Sequence, residues 1–310
     1  MVALPLGIRR VTLPLPFRLE HVHAYLLPGE DGWTIVDTGL GLPGARERWE
    51  EELRQLDGPV ARIFVTHYHP DHVGAAADLA ALTGATVLQG RRDYGQCALT
   101  WGTDRSAAVE SWFLRHGMPE EAAAGLARET ALARSVVHFV EDPELVDDGD
   151  DVGGWEVVAS PGHADGQLTL LRDGVLVAGD HLLAPITPAI GLWPASSADP
   201  LGDYFASLER TIRLAPTVAL PGHRDPIADP AARARELIVH HRERLDAALT
   251  AVQGRRRTAY DICADLFGSE LTASDMRFAV TEALSHLERL AVEGRAASRE
   301  DSGIVTYTAA

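Results

Sequence analysis

Residues 64–74 read FVTHYHPDHVG, which places three histidines and one aspartate within six positions directly after an apolar run. Arg62-Ile63-Phe64-Val65-Thr66 has the β-rich, apolar make-up of a short buried strand. The cluster therefore sits at the C-terminal end of a strand. His67 and His69 are two residues apart, and side chains at that spacing point the same way while the backbone stays extended. Pro70 disfavours helical geometry at His69, the residue before it, so the chain stays extended there and then turns. Asp71 and His72 follow at the mouth of a helix expected over Val73–Leu82. The four side chains converge beyond the strand end, and imidazole nitrogen with carboxylate oxygen suits zinc, iron or manganese.

Three later stretches repeat the arrangement. Ser160-Pro161-Gly162-His163 and Leu220-Pro221-Gly222-His223 each follow an expected strand, and Ala178-Gly179-Asp180-His181 ends one. Each puts a metal-binding side chain in a glycine-containing turn at a strand end. Loops carried on a rigid sheet are where binding and catalytic groups concentrate.

Composition bounds the rest. The chain has 310 residues, and its 46% hydrophobic content supports a packed core. The formal net charge is −17, and no lysine occurs. A net negative charge disfavours broad binding to phosphate backbones. The lack of lysine excludes Schiff-base chemistry, a P-loop and a Ser-Lys dyad. There is no GxSxG nucleophile elbow. A GxGxxG string, Gly39 to Gly44, is an isolated match whose downstream text does not continue as a plain βαβ unit. The two cysteines, Cys97 and Cys263, are far apart and read as buried free thiols. The N-terminal stretch is broken by Pro5, Pro14 and Pro16 and lacks a signal-peptide core, so a mature cytoplasmic protein is expected. No window has transmembrane length.

Along the chain, strands are expected at Gly7–Leu15, His21–Leu27, Trp33–Val36, 62–66, 86–88, Val136–Val140, Trp155–Ala159, Leu168–Leu171, Val175–Ala178 and Thr217–Leu220. Leu42–Leu56 and Pro200–Leu214 read as helices. Residues 93–135 read as a helical insertion, whose Trp101, Trp112 and Phe113 are candidates for a substrate wall. Two domains are expected, 1–230 and 231–310. The second has three helices (Ala231–Gln253, Tyr260–Phe267, Thr272–Val292) and a hairpin around Asp301-Ser302-Gly303, the element order of a winged helix.

HYHPDH, PGHADG, AGDH and PGHRDP together resemble the successive metal motifs of the metallo-β-lactamase-fold hydrolases, most closely the glyoxalase II-like branch and the β-lactamase-like protein 2 group. The resemblance covers residues 10–230 and, more weakly, the tail. It implies an α/β fold, an αββα metallo-β-lactamase sandwich followed by a small winged-helix domain. It also implies two divalent metals, zinc first, with iron and manganese as alternatives. His67, His69 and His163 would hold one metal, and Asp71, His72 and His223 the other. Asp180 would bridge them beside a metal-bridging hydroxide, with Asp71 and Asp180 as the catalytic carboxylates. Asp37 would lie in the outer shell, orienting the histidine loop. His181, beside the bridging position, is a candidate for the same shell.

The implied reaction is hydrolysis of a small carbonyl ester, a thioester or lactone. A true glyoxalase II is disfavoured, because its glutathione contacts use lysines. A single-strand endoribonuclease is the first alternative. The residues from Gly254 onward carry seven arginines against nine acids, which disfavours it. A mononuclear iron sulfur dioxygenase is the second. The partner is expected to be a small molecule, with nucleic acid disfavoured but left open, and no membrane. A homodimer is compatible.

Overall fold

The computed structural model describes residues 4–310, apart from the side chains of residues 273 and 274. Ten strands form two sheets. The first, in spatial order, holds β1 (Arg9–Pro14), β2 (His21–Gly29), β3 (Gly32–Val36), β4 (Val60–Val65), β5 (Thr86–Gly90) and β6 (Glu144–Val146). The second holds β7 (Glu156–Ala159), β8 (Leu168–Arg172), β9 (Val175–Gly179) and β10 (Val218–Pro221), in the order β10-β9-β8-β7. The remaining strands, β11 (Ala296–Asp301) and β12 (Ile304–Ala309), pair as a separate hairpin. The helices are α1 (Pro43–Arg54), α2 (Pro70–Val73), α3 (Ala76–Thr83), α4 (Arg91–Trp101), α5 (Ser106–Arg115), α6 (Glu120–Ala133), α7 (Pro200–Leu214), α8 (Pro230–Ala251), α9 (Cys263–Phe267) and α10 (Ala273–Val292).

Side-chain alternation builds the layers. On β2, Val22, Ala24 and Leu26 join the cluster under α1 and α3, while Tyr25 and Leu27 turn to the other sheet. Ile63 and Val65 of β4 do the first, and Phe64 the second. Val175 and Val177 of β9 meet that inter-sheet layer, whereas Leu176 and Ala178 face α7 and α8. Helix, sheet, sheet and helix thus stack as an α/β sandwich of the metallo-β-lactamase kind. Phe64 is fully buried in the middle layer, so Phe64→Ala would cost about 3–5 kcal/mol. Helices α7 and α8 start alike: Asp199 and Asp229 accept from the backbone N–H of Gly202 (2.9 Å) and Ala232 (2.8 Å), each followed by proline at the first helical position.

The structure departs from the sequence expectations in three places. Residues 136–140 form no strand. Their backbone bonds go to Gly41, to the bend after α2 and to the start of α3, with Gly41 N donating to Val136 O (2.9 Å), His138 N to Gly74 O (2.7 Å) and Ala77 N to His138 O (2.8 Å); the sheet gains Glu144–Val146 instead. The helix expected over Val73–Leu82 is two helices, because the chain bends at residues 74–75 to let Ala75 N donate to Gly39 O (3.0 Å). The first strand begins at Arg9, after a short 3-10 turn at Pro5–Gly7.

The insertion is helical, as α4 to α6, and lies between β5 and β6. It docks on the C-terminal segment: Arg115 pairs with Glu300 at 2.7 Å, and Tyr260 N donates to His116 O at 3.2 Å. One apolar cluster, including Tyr204, Leu237, Leu284 and Tyr307, crosses residue 230 without a break. Among the described residues, no helix is long and apolar enough to cross a membrane.

Candidate metal centre

Strands β3 and β4 are parallel, as are β9 and β10. Strand β7 is antiparallel to β8, and β8 to β9, so β7 runs with β9. The C-terminal ends of these strands therefore gather at one edge of the sandwich. Asp37 follows β3, His67 and His69 follow β4, His163 follows β7, Asp180 follows β9, and His223 follows β10. His69 is extended, with φ −61° and ψ 147°, and Pro70 then starts the single turn of α2 that carries Asp71 and His72.

The side chains meet in three overlapping groups: His67, His69 and His163; His67, His72 and Asp180; Asp71, His72 and His223. Within each group the donor atoms lie within 4.8 Å of one another. His67 Nε2 stands 3.0 Å from His69 Nδ1. Asp180 is central. Its Oδ1 is 3.5 Å from His72 Nε2, and its Oδ2 is 3.6 Å from His163 Nε2 and 3.4 Å from His223 Nε2. Asp71 Oδ2 lies 3.3 Å from His223 Nε2.

The outer nitrogens are tied down. Nδ1 of His72 donates to Asp37 Oδ2 (2.8 Å), of His163 to Ala189 O (2.9 Å), and of His223 to His21 O (2.8 Å). Thr66 Oγ1 donates to Asp37 Oδ2 (2.8 Å), so at 3.0 Å it accepts from His67 Nδ1. These bonds fix each ring and leave Nε2 turned inward, the outer-shell arrangement of metal-ligating histidines. Nε2 of His72, His163 and His223 and Oδ1 of Asp180 are buried without a hydrogen-bond partner. Unpaired buried polar atoms are costly. A Cβ on Gly222 would stand 2.5 Å from Asp180 Oδ1 and 2.7 Å from His72 Cε1, so only glycine leaves this space open. Nitrogen and oxygen donors, orphaned and enclosed, fit zinc, iron or manganese.

Electrostatics divides the set. Burial and neighbouring imidazoles hold His67 and His69 well below the usual histidine range. His163 is also lowered, by burial. Burial opposes charge on His72 as well, but Asp37, Asp180 and Asp71 outweigh it and hold that ring well above. His223 is pushed up to about 10, where Asp180 and Asp71 outweigh burial. Burial works against Asp71 too, yet His72 and His223 bring it down to about 2. Without metal, the carboxylates thus hold protons on two histidines, which a metal would displace.

Comparison with known proteins places this arrangement. The profile of the metallo-beta-lactamase superfamily matches residues 18–223, and that of a metallo-beta-lactamase-like C-terminal domain matches residues 245–310. The chain belongs to the metallo-β-lactamase superfamily. The crystal structure of the metallo-beta-lactamase family protein TTHA1429 from Thermus thermophilus superposes with a TM-score of 0.87, at 34% identity over 99% of both chains. The probable metallo-hydrolase YqjP of Bacillus subtilis is 27% identical over 91% of this chain and 92% of its own. TTHA1623, crystallised in a di-iron-bound form, is 25% identical with a TM-score of 0.50, covering 72% of this chain and 97% of that one.

Two expectations need correction. His181 does not join the outer shell: its Nε2 pairs with Thr211 Oγ1 of α7 at 2.7 Å, and among the described residues no hydrogen bond links it to a site side chain. The three aromatics of the insertion are taken up by packing. Trp101 packs in the cluster under the first sheet and donates to Tyr68 O at 2.7 Å, while Trp112 and Phe113 pack against the C-terminal core. Sequence reading missed Asp93, which accepts from Tyr68 N (3.0 Å) and Gln89 Nε2 (2.7 Å) beneath the histidine loop. It also missed Asp165, which accepts from Ser197 N (2.6 Å) and Gln96 Nε2 (3.2 Å), although PGHADG contained it. The carbonyls of His21 and Ala189 carry no side-chain signal.

Proposed function

We propose that this metallo-hydrolase hydrolyses a small carbonyl ester, a thioester or lactone, with two divalent metal ions. His67, His69 and His163 hold one ion, Asp71, His72 and His223 the other, and Asp180 stands between them. The observation that carries this reading is the convergence of both donor groups on one carboxylate, Asp180, whose two oxygens face different histidines at 3.4–3.6 Å. The di-iron form of TTHA1623 supports a dinuclear centre and makes iron a rival to zinc. Bound at these donors, the ions would polarise the carbonyl and supply a nucleophilic water with its pKa lowered toward about 7. Asp71, only 7% exposed, would orient that water. Asp37 and Thr66 hold the His67 and His72 rings so that Nε2 keeps its aim.

A small substrate is supported by what surrounds the centre. The segment between β9 and α7 is tied to it where Ala189 O accepts from His163 Nδ1, and pinned by Arg233, which donates to Leu183 O (2.7 Å) and Ile186 O (2.9 Å). The tail reads as a winged helix whose role is packing. Its α10 is buried at every position from Ala279 to Leu287, the polar Thr281, Glu282, Ser285 and His286 included, which leaves that stretch no free face for nucleic acid.

The test compares the wild type with His69→Ala/Asp180→Asn/His223→Ala, which cuts into both donor groups, purified without chelator or metal-binding tag. A difference of about two metal ions per chain is expected, with thioester or lactone hydrolysis lost in the variant. A difference of about one iron, with oxygen consumed on a persulfide, would overturn the reading in favour of a dioxygenase.

A further inference from the structure

A separate group of donors lies between α8 and α10. His240 and His241 are neighbours on α8, and Glu282 and His286 are one turn apart on α10. Donor atoms of His240, His241 and Glu282 lie within 4.8 Å of one another. Adjacent residues on a helix do not normally face each other. Here Nε2 of both histidines is nevertheless buried, with no hydrogen-bond partner.

A hydrogen-bond relay decides which atom of His241 is available. His286 Nδ1 lies 2.7 Å from Glu282 O, a carbonyl that can only accept, so the proton sits on His286 Nδ1. A neutral His286 then presents a lone pair at Nε2, which accepts from His241 Nδ1 at 3.2 Å. That leaves His241 Nε2 as a lone pair pointed at the group. Glu282 is 9% exposed as a residue, and its carboxylate has no ion pair among the described residues. An unpaired carboxylate at that depth is costly, and a cation relieves it. Arg244, the nearby guanidinium, is turned aside: it donates to Leu266 O and stacks on the Phe267 ring at 4.7 Å.

We propose that His240, His241 and Glu282 form a second site for one divalent transition metal, with zinc as the best match, joining α8 to α10. Two imidazoles and one carboxylate are an established zinc donor set, leaving one position for water. Bonds of about 2.1 Å put tetrahedral donors about 3.4 Å apart, so side-chain rotation has only a short distance to close from the observed spread. His240 is half-buried, which gives the metal a way in from solvent. Behind the site, the His241 ring meets Tyr204 edge-on at 5.5 Å, and Tyr204 Oη donates to His181 O at 3.0 Å. The metal would therefore couple the C-terminal helices to the body of the sandwich. Its donors share no residue with the centre around Asp180.

The test uses the full chain with both donor groups of the main centre disabled, His69→Ala/Asp180→Asn/His223→Ala, metal-stripped and titrated with zinc against a chromophoric chelator. About one zinc per chain is expected, with a rise in thermal midpoint. Adding His240→Gln and Glu282→Gln, near-isosteric changes, should abolish both effects while the far-ultraviolet circular dichroism stays native. His240→Gln alone, at a half-buried position, should weaken zinc by about tenfold or more. The proposal is overturned if the parent holds no zinc, or if its zinc survives the two added substitutions.

Discussion

Asp37 Oδ2 lies 2.8 Å from His72 Nδ1, and the same atom accepts from Thr66 Oγ1 at 2.8 Å. One carboxylate thus aims a histidine of each donor group, His72 directly and His67 through Thr66. Asp37 has φ +61°, a left-handed conformation that Asn adopts almost as readily. Asp37→Asn therefore keeps the backbone and removes the charge. Metal affinity should fall about 10–100-fold, as read by chelator competition. An unchanged affinity would show that Asp37 only shapes the turn.

Gly222 offers a steric test that leaves every donor in place. Its φ is not in the left-handed region, so alanine is tolerated by the backbone, yet the new methyl would stand 2.5 Å from Asp180 Oδ1. Gly222→Ala should lose most metal binding and activity while keeping native near-ultraviolet circular dichroism. Normal binding would mean that the centre forms with its donors further apart.

Metal removal should expose a pH dependence. In the metal-free chain His223 is pushed up to about 10 from an ordinary 6.5. A raised histidine pKa stabilises the fold below the ordinary value, and that contribution drains away as pH rises through the folded value. Metal-free protein should therefore lose stability between about pH 6.5 and 10. The metal-loaded form, with His223 already deprotonated, should not show this loss. Urea midpoints of both forms across that range decide it.

Asp93 supplies a second titration of the same sign, at lower pH. Burial pushes its carboxyl up to about 7 from 3.8. The folded state then holds a proton that the unfolded chain releases, so stability falls as pH rises from about 4 to 7 and levels off above. The loss is about 4 kcal/mol, at about 1.4 kcal/mol per pH unit. Asp93→Asn should flatten that slope. A slope equal to the wild type's would assign the effect to another group.

The division between sequence and fold follows from the range of the forces involved. Spacing two apart in HYH, the proline after it and the glycine turns are local, so the strand ends and the residues they carry were legible from the chain alone. So were α7 and α10, because Asp199-Pro200 and the Thr272–Asp275 capping box are local start signals. Residues 136–140 were misread because a β-rich run is a strand only if a neighbour offers a ladder, and here the nearest backbone partner was the loop at Gly74. His181 and Trp112 face α7 and the C-terminal core because of how distant segments pack, which no local pattern encodes. The same holds for His21 and Ala189, whose carbonyls orient His223 and His163 from 202 and 26 residues away. Sequence alone determined which side chains this protein can offer a metal. Tertiary structure decided which nitrogen of His72, His163 and His223 faces inward, because that depends on Asp37, Ala189 and His21, which lie 35, 26 and 202 residues away and come near only when the chain folds.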